Sequence, residues 1–128
     1  MRAVVLLLAL STIGCNLIGP DEDLTGIWIA ESAPTASAVG FTLQQTDDTV
    51  SGTACAVSAG LLIYSGAPVT GDYPNVQFTV AASNAAPCCA QAAGLRFSGK
   101  QDGTKDIAGT YGTIDLRFKR SDKSLCPQ

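Results

Sequence analysis

Five times along the chain an apolar residue is followed by a small residue and then by glycine: Leu24-Thr25-Gly26, Val50-Ser51-Gly52, Val69-Thr70-Gly71, Phe97-Ser98-Gly99 and Ile107-Ala108-Gly109. The irregular spacing excludes a solenoid, so one strand pattern is being reused. Around these copies apolar positions alternate with polar ones, as in Val39, Phe41, Leu43, then Val76, Phe78, Val80, then Leu95, Phe97, Gly99, and finally Ile114, Leu116, Phe118. Such alternation marks strands with one buried and one wet face. A glycine inside such a strand lets the backbone bend or a neighbour approach closely, which a small closed barrel demands.

Turn signals divide the chain into strands at 24–31, 38–46, 49–55, 61–71, 75–82, 93–101, 104–111 and 113–120. Asp47-Asp48, Tyr73-Pro74 and Asp102-Gly103 mark tight hairpins at one end, and the longer links 32–37, 56–60 and 83–92 fall at the other. Short and long loops alternating between ends predict an all-β fold, an eight-stranded antiparallel up-and-down β-barrel. No helix is expected after residue 15.

The segment Leu24-Thr25-Gly26-Ile27-Trp28 resembles the L-T-G-x-W first strand of lipocalin-type and avidin-type barrels. The Gly-Thr pairs Gly52-Thr53 and Gly109-Thr110, and the terminal strand Ile114 to Arg120, are similar to small bacterial lipoproteins of that calycin-like shape. The resemblance implies that Trp28 plugs one end of the barrel. Biotin is caged in the avidin family by several tryptophans, and this chain has only one, so that activity does not carry over.

Arg2, the apolar run Ala3 to Leu10 and the small-residue approach Ser11-Thr12-Ile13-Gly14 read as a signal peptide too short to span a bilayer. Thr12-Ile13-Gly14-Cys15 resembles a lipobox, with Thr where Leu is usual. The resemblance implies cleavage before Cys15 and acyl chains on its sulfur, anchoring the protein in a membrane. Ordinary cleavage after Ala9-Leu10-Ser11, leaving a free thiol, is the alternative. The expected organisation is a leader over 1–14, a lipidated cysteine and tether over 15–23, and a barrel domain with a C-terminal tail over 24–128.

Setting Cys15 aside leaves Cys55, Cys88, Cys89 and Cys126, an even set suited to two disulfides in an exported domain. A Cys88–Cys89 bond would close an eight-membered ring with a distorted peptide, so Cys55 is expected to pair with one of them and Cys126 with the other. A zinc site is the competing reading of four cysteines, but no CxxC pair and no histidine accompanies them. Cys126 follows the last strand, at the rim opposite to the other three, so its tail must climb back along the barrel if the strand map holds.

With no histidine, a Ser-His-Asp triad, a Cys-His pair and the common His-based metal sites are out of reach. The carboxylate pairs sit in a turn, Asp47-Asp48, and on the tether, Asp21-Glu22-Asp23, and neither is expected to be enclosed. No phosphate loop or nucleic-acid motif is present. We therefore expect no catalysis, no cofactor, no metal and no nucleic-acid partner.

Losing Arg2 with the leader leaves seven basic residues against 11 acidic ones, a net −4. All seven lie at or after Arg96. Strand eight ends on the rim where strand one begins, so Lys119, Arg120 and Lys123 should lie near the tether. There they would either meet anionic headgroups, at about 1 kcal/mol per basic residue, or pair with Asp21-Glu22-Asp23 and solvent. At the other rim Ala81 to Ala90 would form a lid over a pocket, or a surface loop braced by bridges.

The expected protein is thus a lipoprotein of the bacterial envelope. Asn16 in place of Asp favours the outer membrane, facing the periplasm or the cell surface. Its barrel would bind a small apolar ligand in a pocket lined by residues such as Val39, Phe41, Leu43, Val76, Phe78, Val80, Leu95, Leu116 and Phe118. The alternative is an envelope interaction or protease-inhibitor-like protein whose barrel is solid and acts through its loops. Packing of Trp28, Phe41, Phe78 and Phe118 inside the barrel separates the two.

Overall fold

The computed structural model describes residues 23–32, 37–103 and 105–126. The strands are β1 (Gly26–Ser32), β2 (Ser37–Thr46), β3 (Thr49–Ser58), β4 (Leu61–Asp72), β5 (Asn75–Thr79), β6 (Arg96–Asp102), β7 (Asp106–Tyr111) and β8 (Ile114–Ser121). Each pairs antiparallel with its neighbour in sequence, and β8 returns to β1 to close an eight-stranded up-and-down barrel. A Cys55–Cys126 disulfide braces it.

Side chains follow the pleat. Trp28 and Ala30, then Val39, Phe41 and Leu43, then Val76 and Phe78, then Phe97, Ile107 and Phe118 are buried on the inner face. The outward positions of β2 to β6 carry hydroxyls and amides, among them Gln44, Ser51, Thr70, Gln77 and Ser98. An apolar interior behind a polar wall is the inverse of a membrane-spanning barrel, whose lipid face is apolar.

The glycine repeat has a physical cause. A Cβ on Gly52 would strike the Thr42 carbonyl, and one on Gly109 would strike the Ser98 carbonyl and Gly99 Cα. Gly99 and Gly109 are register partners, so β6 and β7 approach closely where the wall turns. Four of the five repeat glycines, Gly52, Gly71, Gly99 and Gly109, sit where an added Cβ would meet backbone within 3 Å. Curvature of a narrow barrel, as expected from the pattern, is what they supply.

Two boundaries depart from expectation. β3 continues to Ser58, and the expected link 56–60 is a two-residue turn, Ala59-Gly60, with φ of 51° and 81°. Positive φ at both central residues suits the right-handed twist of a hairpin, and Ala59 accepts it although no Asn or Asp signals it. β5 ends at Thr79, and the segment that follows folds as 3-10 turns over Ala82–Asn84 and Pro87–Ala92. At Val69 and Thr70 the β4 backbone pairs with β5, whereas its first half accepts this segment: Ala86 N–H donates to Ile63 O at 2.8 Å, and Tyr64 bridges Ala85.

Candidate functional site

One end of the barrel, where β1 begins, is closed by Trp28. Its ring is fully buried, and its Nε1 donates to Leu24 O at 3.0 Å, so the indole polar atom is satisfied inside the fold. Leu24, also fully buried, is held by its own N–H to Gln45 Oε1 at 2.9 Å. The Arg120 guanidinium lies over the Trp28 ring and donates to the backbone carbonyls of Thr25 and Asp23.

The middle of the barrel is an aromatic stack. Phe41 meets Phe118 at 4.3 Å between centroids and Phe97 at 6.1 Å, while Phe97 meets Phe118 at 5.0 Å and Phe78 at 5.7 Å. These are the spacings of directly packed rings. Of the residues expected to line a pocket, Val39, Phe41, Leu43, Val76, Phe78, Val80 and Phe118 are buried among one another, and Leu95 and Leu116 pack against them half-buried. The open grooves on the described surface, such as one lined by Thr70, Gln77, Thr79, Arg96 and Ser98, lie outside the wall.

Toward the opposite rim the inner residues become small, with Ala30, Ala54, Ala56 and Ala67 buried, and two phenols enter from opposite walls. Tyr64 and Tyr111 share a hydrogen bond of 3.0 Å between hydroxyl oxygens. Burial pushes Tyr64 well above the ordinary phenol range, with its phenolic neighbour adding to the shift. Burial also raises Tyr111, partly opposed by the bond to Tyr64. Both phenols stay protonated near neutral pH, and their shared bond ties β4 to β7 across the barrel. Sequence reasoning missed this pair; Tyr64 follows an apolar run, and nothing in the spacing links it to Tyr111.

Residues 82–92 roof this region, with Cys89 and Ala92 turned inward. The expected cross-pairing of cysteines does not form. Cys88 bonds Cys89, with Cα atoms 3.7 Å apart, and Cys55 bonds Cys126. Cys89 leaves helical geometry, at φ −134° and ψ 43°, which brings neighbouring sulfurs together on the lid. Cys55 faces outward from β3 beside Gly40, its register partner on β2, where the tail arrives. The tail does climb back: Leu125 packs so closely on Gly40 that an added Cβ would lie 3.1 Å from Leu125 Cβ. Under this strap an outward-facing Cys55 is fully buried.

The two rims differ in chemistry. On the rim where β1 begins lie Asp23, Asp47, Asp48, Asp72, Asp102, Asp106 and the basic residues of β8 and the tail. There Arg117 bridges Asp102 and Asp106 at 2.8 Å each, and Lys119 approaches Asp106 at 3.3 Å. The hydrogen bond from Arg117, then the contact with Lys119, holds the Asp106 carboxyl below its usual range. Of the three basic residues expected to form a cluster, Arg120 is thus folded onto Trp28, Lys119 is paired and Lys123 is exposed. The lid rim is different. Its segments 57–62, 79–95 and 111–114 contain no charge, exposed Glu31 stands near the end of β1, and Leu61 and Ile114 are 55% and 52% exposed.

Cys15, Asp21 and Glu22 lie outside the described residues, and the lipid-anchor expectation rests on sequence. Asp47 and Asp48 occupy their turn, exposed to solvent. Among the described residues no group of three or more Cys, Asp or Glu side chains is placed to hold a metal ion. No protein-family model, curated protein or solved structure matches this chain.

Proposed function

We propose that this protein is a bacterial envelope lipoprotein, anchored through Cys15, that works as a non-catalytic interaction protein by presenting the lid rim of a filled barrel to a partner. The observation that carries the reading is the packing of Phe41, Phe78, Phe97 and Phe118 between the Trp28 plug and the lid, which leaves binding to the loops, the rims and the outer wall. Exposed Leu61 and Ile114, each at a turn that carries no charge, supply apolar contacts of the kind a protein interface uses. A tether entering at β1 leaves that rim pointing away from the membrane. Asn16 favours the outer membrane as the site of anchoring.

The apolar-ligand reading stands second. Its support is the change from phenylalanine to alanine toward the lid, together with a Tyr64–Tyr111 pair whose hydroxyls could meet a ligand's polar end. Entry would require the lid to lift.

A photo-crosslinker placed at Leu61 in cells should yield one dominant protein adduct that Ile114→Asp removes, while the same probe at Gln77 yields none. Absence of an adduct at Leu61, or equal adducts at both sites, overturns the rim reading. Native mass spectrometry of protein taken from membranes then discriminates the second reading, since a retained small molecule supports it. A mature N-terminus without lipid at Cys15 would sink the anchor.

A further inference from the structure

We propose that the Cys88–Cys89 disulfide is a thiol–disulfide exchange site whose substrate class is a dithiol reductant. The first ground is what this bond does not do. A bridge between adjacent residues closes no loop, so it removes almost no freedom from the unfolded chain, whereas Cys55–Cys126 spans 71 residues. The vicinal bond therefore adds little bracing, yet it sits at the surface of the lid.

The second ground is access. Cys88 is exposed and Cys89 is only 8% exposed, so a thiolate reaches the Cys88 sulfur from solvent, with the Cys89 sulfur behind it as the leaving group. The other bond is shielded. Cys55 is fully buried, and Cys126 is half-buried beside Leu125 and Gly40. Exchange rates depend on which sulfur can be attacked, so the two bonds should separate under mild reductant. No charged residue occurs between Thr79 and Leu95.

The chemistry balances as follows. One thiolate of the dithiol attacks Cys88 Sγ, the Cys88–Cys89 S–S bond breaks, and its electron pair leaves on Cys89 Sγ, which takes up a proton. The reagent's second thiolate attacks its own sulfur in the mixed disulfide and releases Cys88 as a thiolate that is then protonated. The lid gains two thiols, and the dithiol becomes a disulfide. Cys89 N–H donates to Ala86 O at 2.9 Å, and Cys89 is the kink between two 3-10 turns, so opening the ring releases the residue that shapes the roof.

The full chain, exposed to dithiothreitol at neutral pH without denaturant and trapped with iodoacetamide, should show label at Cys88 and Cys89 while Cys55–Cys126 stays closed, with rates at least tenfold apart. Simultaneous opening of both bonds, or a Cys88–Cys89 bond that opens only in denaturant, overturns the proposal. A monothiol tests the point of attack: reduced glutathione added to the oxidised chain and quenched early with acid should be found as a mixed disulfide on Cys88 at least tenfold more than on Cys89. Equal amounts on the two overturn the assignment of Cys88 as the attacked sulfur. Because the isolated protein suffices, these outcomes are independent of whether the lid rim has a partner.

Discussion

The guanidinium carbon of Arg120 lies 4.4 Å from the centre of the Trp28 ring, and the two residues are register partners across the β1–β8 seam. That seam has three registered pairs, fewer than the β1–β2 junction, so side chains at the closure carry more of its weight. Arg120 contributes a cation over the tryptophan face and donors to two carbonyls of the entering chain. Arg120→Ala should lower stability by about 1–2 kcal/mol, read from urea denaturation, with Arg120→Lys recovering part of the loss. An unchanged urea midpoint for Arg120→Ala would show that the stack contributes nothing.

Phe97 contacts Phe41, Phe78 and Phe118 and is fully buried. Truncation to alanine leaves a cavity that a closed wall cannot collapse to fill. Phe97→Ala should cost about 3–5 kcal/mol, and Phe97→Leu distinctly less. If Phe97→Ala melts with the parent chain, the interior is not packed as described.

Gly109 faces the Ser98 carbonyl and Gly99 where β6 and β7 approach closely. Alanine there requires the β6 and β7 backbones to separate, a change that flexible side chains cannot absorb. Gly109→Ala should therefore abolish or severely weaken folding, judged by circular dichroism, whereas Gly103→Ala at an open turn should cost only the strain of its positive φ of 73°. Equal effects at the two positions would contradict the close approach.

The phenol pair makes stability depend on alkaline pH. Both phenols are held above the ordinary value of 10.0, so the folded state keeps protons that the unfolded state gives up. Their contribution is complete below pH about 10 and is lost as the pH rises beyond it toward the folded values. Absorbance titration should show Tyr64 and Tyr111 ionising above that range, and Tyr111→Phe should destabilise by about 1–3 kcal/mol by leaving the buried Tyr64 hydroxyl unpaired. Normal titration of all three tyrosines would remove the basis for the tie.

The tail strap is the remaining testable element. Cys55–Cys126 closes a long loop, so Cys126→Ser should cost about 4 kcal/mol at most. It should also make the Cys55 thiol reactive in the native state. A variant whose Cys55 stays unreactive would mean that the strap holds by packing of Leu125 alone.

The strand inventory, the turns at Asp47-Asp48 and Tyr73-Pro74 and the closed barrel were legible in the chain because alternation and glycine placement are local consequences of a wet outer face and a narrow apolar bore. Most of the inner residues, from Val39 to Phe118, were legible for the same reason. Contacts between distant segments were not. Whether Phe41, Phe78, Phe97 and Phe118 line a space or fill it depends on barrel radius and strand register, which bring four separate strands together. Cysteine count set the number of bridges, but pairing depended on where the tail crossed β2 and on one kink at Cys89. Periodicity reports which face of a strand is dry, and only three-dimensional closure decides what meets in the dry space. Trp28 was expected as a plug only through the resemblance carried by Leu24 to Trp28, while Arg120 above it and Tyr64 against Tyr111 required the folded barrel.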